Sequence, residues 1–67
     1  MKAKEMFEDL GFKQEFHIAC VKYYNKEKDR YIWFFQDTET IEIIFDIDMR
    51  TLQAINKQIE ELGWNNE

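Results

Sequence analysis

The sequence predicts an α+β domain in which a helix, a three-stranded antiparallel β-meander and a second helix follow one another (αβββα). Apolar residues recur at helical spacing near both ends of the chain. The segment between them is rich in aromatic and β-branched side chains, which are typical of strands. Because 67 residues form one domain at most, we expect residues 1–67 to make a single domain, with the helices mainly on one sheet face.

Both helices are predicted from a run of apolar residues that is followed by a glycine. The first is expected over about residues 3–10 and the last over about residues 49–62. Asp48 is a suitable N-cap for the last helix. Gly11 and Gly63 each precede an aromatic residue, as in a Schellman motif, where glycine adopts the left-handed conformation and the next residue packs back on the helix.

Three strands are expected between the helices, over about residues 15–24, 30–36 and 39–47. The polar residues 25–29 suit a hairpin loop between the first two strands. The second turn is expected around residues 37–38, with weaker turn chemistry because glycine is missing there.

Side-chain alternation gives the predicted sheet two apolar faces. A five-residue first loop and an even-length second turn set which residues share a face. The first face then holds Ile18, Cys20, Ile32, Phe34, Ile41, Ile43 and Phe45. The second face holds Val21, Tyr23, Tyr31, Trp33, Phe35 and Ile44, with His17 and Glu42 at its margins. Two short helices cover one face, unless the first helix crosses over and makes a three-layer arrangement.

The second face is too apolar for an ordinary solvated sheet surface, and such contiguous patches usually mark interaction sites. Tyrosine and tryptophan are also common anchors of protein interfaces. We therefore expect contacts with a partner, or with a second copy of the chain, from Tyr23, Tyr31, Trp33, Phe35, Ile44, Glu42 and Asp46.

The composition argues against catalysis and against a bound cofactor or metal. The chain has no serine, and its single cysteine allows no internal disulfide. His17 and Cys20 lie three apart on a predicted strand, so they are expected on opposite faces and unable to form a catalytic pair. One histidine and one cysteine also cannot complete a structural zinc site. We expect no enzyme activity and no cofactor.

Charge is unevenly distributed along the chain. Residues 1–36 carry seven basic and six acidic side chains, whereas residues 37–67 carry two basic and eight acidic ones. Because nucleic-acid binding normally needs a clustered basic face, we expect no direct contact with nucleic acid. The acidic half favours a partner protein with a basic surface. The N-terminus has no signal-peptide pattern and no apolar run is long enough for a bilayer, so we expect a cytoplasmic protein without membrane contact.

The two ends of the chain, MKAKEMFEDLGF at residues 1–12 and LQAINKQIEELGW at residues 52–64, resemble small proteins encoded by phages and prophages of Gram-positive bacteria. The resemblance implies an anti-CRISPR-like role, in which the protein binds and inhibits a bacterial defence or host protein in the host cytoplasm. A sharper form is nucleic-acid mimicry by Asp37, Glu39, Glu42, Asp46, Asp48, Glu60 and Glu61. The alternative is an assembly module, such as a homodimer, with no inhibitory role.

Overall fold

A computed structural model describes residues 1–64 of the chain. Its elements are α1 (Ala3–Asp9), β1 (Lys13–His17), β2 (Cys20–Asn25), β3 (Arg30–Phe35), β4 (Thr40–Ile43) and α2 (Met49–Leu62). The strands form one antiparallel sheet in the order β1-β2-β3-β4. The α+β class and a helix at each end are confirmed, but the sheet has four strands and the predicted order αβββα is wrong in that detail.

The extra strand arises because the first predicted strand, residues 15–24, is a hairpin. His17 pairs with Cys20 across a turn made by Ile18 and Ala19. Two-residue hairpin turns usually need positive φ angles and therefore glycine or asparagine. Neither Ile18 nor Ala19 has a positive φ. The turn therefore leaves no recognisable signal in the sequence.

The helix ends follow the predicted cap chemistry. Thr51 donates its backbone N–H to the Asp48 carboxylate over 2.8 Å, which fixes the start of α2 and lowers the pKa of Asp48. After α1, the N–H of Phe12 donates to the Phe7 carbonyl over 3.0 Å. The N–H of Trp64 donates in the same way to Ile59, and both preceding glycines have positive φ. Both Schellman motifs are confirmed.

The two glycines differ in what surrounds them, and this gives a matched pair of variants. A Cβ on Gly11 would lie 3.0 Å from the side-chain nitrogen of Asn25, whereas a Cβ on Gly63 meets nothing within 4 Å. Asn25 is buried, and its side-chain oxygen accepts a hydrogen bond from the Lys28 backbone N–H. The Asn25 side chain therefore cannot move without losing that bond. We expect Gly63→Ala to cost about 1–2 kcal/mol of unfolding free energy from left-handed strain alone.

Gly11→Ala should cost about 1 kcal/mol more than Gly63→Ala, because the buried amide must also shift. Urea unfolding of the two variants measures the difference directly. Equal midpoints would contradict the Asn25 contact as a constraint on this turn.

The core lies between both helices and one face of the sheet. Phe7 of α1 is fully buried, with its ring stacked on Tyr23 at 3.9 Å and edge-on to Phe12 at 5.7 Å. Ala54 and Ile55 of α2 belong to the same cluster. Because α1 and α2 pack on the same face, the three-layer alternative is wrong, and the expectation that the helices lie on one face is confirmed.

A buried hydrogen-bond network joins the sheet to α2 within this core. The Gln14 side-chain amide donates to the Tyr23 hydroxyl over 2.8 Å. The Tyr23 hydroxyl donates in turn to the side-chain oxygen of Gln58. Burial is the main reason that the pKa of Tyr23 is raised to about 12. The network gives hydrogen-bond partners to polar groups that an aromatic core would otherwise leave unsatisfied.

The register of β2 differs by one residue from the prediction. Tyr24 pairs with Tyr31 and Asn25 with Arg30, so the loop between β2 and β3 has four residues and not five. A one-residue shift turns every side chain to the other face. Val21 and Tyr23 therefore lie in the core, and their predicted place on the second face is wrong.

Of the other predicted face assignments, some are confirmed and some are wrong. The core side of Ile32, Phe34, Ile41 and Ile43 is confirmed by their register and packing. Ile18 was predicted on that face but is fully exposed at the tip of the first hairpin. Cys20 was also predicted there but lies on the opposite face, since it pairs with Phe35.

The last strand is shorter than the predicted 39–47 and ends at Ile43. Beyond this point Phe45 leaves the sheet and packs on Phe12, with a centroid distance of 5.9 Å. The Arg30 guanidinium lies over the Phe45 ring at 5.0 Å. Phe45 thus packs on Phe12 and Arg30, and the apolar alternation that continues to Ile47 no longer marks a strand.

Candidate functional site

The sheet face opposite the helices carries side chains from all four strands, and we call it the open face. Cross-strand partners share a face, so the register places on it Lys13, Glu15, His17, Cys20, Lys22, Tyr24, Tyr31, Trp33, Phe35, Thr40 and Glu42. Four aromatic side chains therefore lie together on β2 and β3. Each of them is half-buried, although no helix packs over them.

Lys22 lies at the centre of the open face. Its ammonium is 4.8 Å from the ring centroid of Tyr31, 5.0 Å from that of Trp33 and 5.5 Å from that of Tyr24. These distances are those of cation–π contacts. The Glu15 carboxylate lies 3.9 Å from the same ammonium. The lysine is thus held down on the aromatic surface, with its side chain only 20% exposed.

Trp33 and Phe35 form the other half of the aromatic patch. Their rings are nearly parallel, 3° apart in plane and 5.8 Å between centroids. The His17 ring lies 5.5 Å from that of Trp33, and its Nε2 is 3.2 Å from the Glu15 carboxylate. Contacts with neighbours therefore hold the Trp33 ring in place on the surface, which lowers the entropy lost when a partner binds it.

An acidic border runs beside the aromatic patch. Glu42 on the edge strand β4 is the direct cross-strand partner of Trp33. Residues 31–49 contain five acidic side chains and no basic ones, whereas the rest of the chain carries nine of each. The whole net charge of −5 therefore belongs to the segment that runs from the second residue of β3 through β4 to the first residue of α2.

The structure brings together four of the seven residues predicted to bind a partner. Tyr31, Trp33, Phe35 and Glu42 share the open face. Tyr23 is fully buried in the core and does not reach this surface. The remaining two, Ile44 and Asp46, are exposed in the link between β4 and α2, outside the strands.

Sequence reasoning missed Lys22 and Tyr24, which occupy the places it gave to Val21 and Tyr23. The signal that distinguishes the two registers is the loop before β3. Asp29 adopts a left-handed conformation with φ of 54°, which closes a four-residue loop. Aspartate tolerates this conformation better than most residues, so its position at the loop end is a usable, though weak, indication.

His17 and Cys20 do not lie on opposite faces as predicted. The turn between them makes the two residues direct cross-strand partners on the open face. The hydrogen-bond partner of the His17 Nε2 among the described residues is Glu15, and Cys20 is a buried free thiol. Within residues 1–64, no group of three or more metal-ligating side chains lies together.

A shallow hollow of about 220 Å³ opens on this surface between the ends of β1, β2 and β3. Its lining residues are Glu15, Lys22, Tyr24, Lys26 and Tyr31. Ligand pockets usually enclose about 300–1,000 Å³, so the hollow suits a single side chain better than a small-molecule ligand.

Comparisons of the chain with protein-family models, curated proteins and solved structures give no significant match. Within the described part of the chain, neither helix has the length and apolar character needed to cross a membrane. Functional inference therefore depends on the geometry of the open face.

Proposed function

We propose that this chain is a non-catalytic binding protein whose open face docks a partner protein. One observation carries the proposal: both helices pack on the same sheet face, and Tyr24, Tyr31, Trp33 and Phe35 are left partly exposed on the other. Contiguous aromatic patches of this kind are typical of interaction surfaces. Covering the exposed part of these rings with a partner would remove further apolar area from water.

The charges around the patch favour a basic partner surface. Glu42 borders Trp33, and the segment 31–49 holds five acidic residues and no basic one. A basic protein surface is attracted to this border, which raises the association rate and fixes the orientation of the partner. Nucleic acid is disfavoured, because phosphates would meet the same carboxylates.

A second copy of the chain fits the open face less well. Strand spacing and rise give the four-stranded face roughly 300 Å² of flat area per copy. A stable interface buries about 1,200–2,000 Å² in total. Two copies of this face do not provide that area, even when the uneven surface made by their side chains is counted. A longer partner can continue past the face onto the acidic β4 edge, and so bury more surface.

Trp33→Asp should weaken partner capture while the domain stays folded, since the Trp33 side chain is partly exposed and lies outside the core cluster. The expected loss is at least about tenfold, as for an aromatic hot spot. The matched control is Ile18→Asp, which also places a carboxylate on an exposed apolar residue but at the hairpin tip. Affinity capture from a bacterial lysate, with quantitative mass spectrometry of the three proteins, measures the difference.

Proteins retained by the wild type and by Ile18→Asp but lost by Trp33→Asp support the proposal. Equal retention by all three would overturn it. Sedimentation of the pure protein provides the other arm: a dimer that Trp33→Asp dissociates would assign the open face to a second copy and remove the case for a separate partner.

The resemblance of residues 1–12 and 52–64 to phage and prophage proteins favours a bacterial host protein, such as a defence enzyme, as the partner to test first. In the mimic version of this role the phosphates are replaced by the carboxylates of Asp37, Glu39, Glu42, Asp46, Asp48, Glu60 and Glu61. That version requires nucleic acid to compete with the protein for its target, and competition in a binding assay with the purified partner tests it.

A further inference from the structure

We infer that the open face recognises an arginine side chain of the partner, stacked on Trp33 and Phe35 and paired with Glu42. The inference rests on the proposed function and specifies its anchor. It would make the aromatic patch a selective site, because arginine, lysine and uncharged side chains would bind with different affinities.

The open face already binds one cation from its own chain. The Lys22 ammonium lies within 4.8–5.5 Å of three ring centroids, which shows that the rings of this surface are oriented to face a positive charge. Lys22 occupies the half of the patch formed by Tyr24, Tyr31 and one side of Trp33.

The Phe35 end of the patch differs, although Lys22 also lies 5.0 Å from the Trp33 centroid. Within residues 1–64, no lysine or arginine lies over the Phe35 ring, and Glu42 forms no ion pair. Glu42 is the cross-strand partner of Trp33, and the Trp33 and Phe35 rings are nearly parallel. The stacked Trp33–Phe35 pair and a carboxylate without an ion pair among these residues therefore lie side by side, which is a combination that a partner cation can satisfy.

Arginine fits this combination better than lysine. Its planar guanidinium stacks on an aromatic ring while its N–H groups donate to a carboxylate, and it loses less hydration than an ammonium on contact with a ring. A lysine ammonium is compact and strongly hydrated, and it cannot make the stacked and forked contacts together.

The opposite end of the patch repels a second cation. Lys22 and Lys26 both line the hollow beside Tyr24 and Tyr31, and a single carboxylate, Glu15, offsets them. Two ammoniums therefore oppose a partner arginine at the hollow, whereas at the other end Lys22 alone lies close, 5.0 Å from the Trp33 centroid, and Glu42 offers a carboxylate. This difference gives the docked partner a defined orientation across the sheet.

Three peptides test the inference. They share the pattern Ac-Gly-Xaa-Gly-Xaa-Gly-NH₂ and carry arginine, lysine or citrulline at both Xaa positions. NMR titration at physiological salt follows the indole N–H signal of Trp33. Trp64→Phe removes the other indole signal of the chain. We expect the arginine peptide to bind at least about fivefold more tightly than the lysine peptide, and the citrulline peptide more weakly than either. Glu42→Gln should weaken arginine binding about fivefold, whereas Glu60→Gln, on α2, should not.

Equal binding of the arginine and lysine peptides, or an unchanged affinity in Glu42→Gln, overturns the inference. Its failure is distinguishable from failure of the proposed function. If Trp33→Asp still loses the captured partner while the peptides show no arginine preference, the open face docks a partner by another anchor. If Trp33→Asp also captures normally, the proposed function fails as well.

Discussion

Phe7→Ala is expected to leave the domain largely unfolded at 25 °C. Phe7 is completely buried and its ring contacts those of Phe12, Tyr23 and Phe34, so truncation opens a cavity at the junction of α1 and the sheet. Phenylalanine-to-alanine changes in a core cost about 3–5 kcal/mol. A single hydrophobic core in a chain of this size rarely supplies more than about 3–5 kcal/mol, so the variant retains little or none of its stability.

The matched control is Phe16→Ala, because the Phe16 side chain is 71% exposed on β1 and its loss opens no cavity. Thermal and urea unfolding followed by circular dichroism compare both variants with the wild type. We expect Phe16→Ala to change the urea midpoint little. A Phe7→Ala protein that unfolds with the wild-type midpoint would contradict the described core.

Alkaline pH should destabilise the domain through Tyr23, whose folded pKa is raised from 10.0 to about 12, mainly because the ring is buried. The folded state holds this proton more tightly than the unfolded state. The contribution of Tyr23 is therefore fully present below pH 10 and is lost as the pH rises from 10 to about 12. A shift of this size corresponds to about 2–3 kcal/mol of unfolding free energy.

Tyr23→Phe isolates this effect, since it removes the ionisable hydroxyl but keeps the ring. At neutral pH the variant should lose about 1–2 kcal/mol, because the Gln58 side-chain oxygen is left without its donor. Between pH 10 and 12 its stability should fall less steeply than that of the wild type. Parallel pH profiles from urea unfolding would contradict a buried Tyr23 hydroxyl.

Elements with local signals could be predicted from the sequence. Gly11, Gly63 and Asp48 act through residues no more than five positions away, and each makes the backbone or side-chain bond expected of it. The α2 helix begins and ends where its apolar stripe and caps indicate. Such features depend little on the rest of the fold, so a single sequence is sufficient to locate them.

The strand count and the register of β2 depend on information that the sequence does not carry locally. Ile18 and Ala19 form a hairpin turn without the residues that such turns prefer, because the pairing of β1 with β2 imposes the turn. The loop before β3 has one residue fewer than its polar composition suggests. The error in loop length alone exchanges the predicted faces of Tyr23 and Tyr24.

The candidate site was partly predictable, because some of its features depend on alternation within one strand and others on pairing between strands. Ile32 and Phe34 alternate with Tyr31, Trp33 and Phe35 on one strand. The two sets of side chains therefore lie on opposite faces of the sheet in any register. The position of Lys22 over three rings depends on β2 pairing with β3 in one register alone, and sequence alternation could not supply it. An aromatic patch was therefore foreseeable, whereas the cation at its centre was not.

Site-specific photocrosslinking tests most directly whether the open face is the docking surface. Phe35 and Phe16 are replaced in turn by the photoreactive analogue p-benzoylphenylalanine, since Phe35 lies on the open face and Phe16 is an exposed phenylalanine on the helix side of β1. Irradiation in bacterial cells should give a discrete crosslinked partner from position 35 and none from position 16. The same partner crosslinked from position 16 alone, or equally from both, would contradict the account.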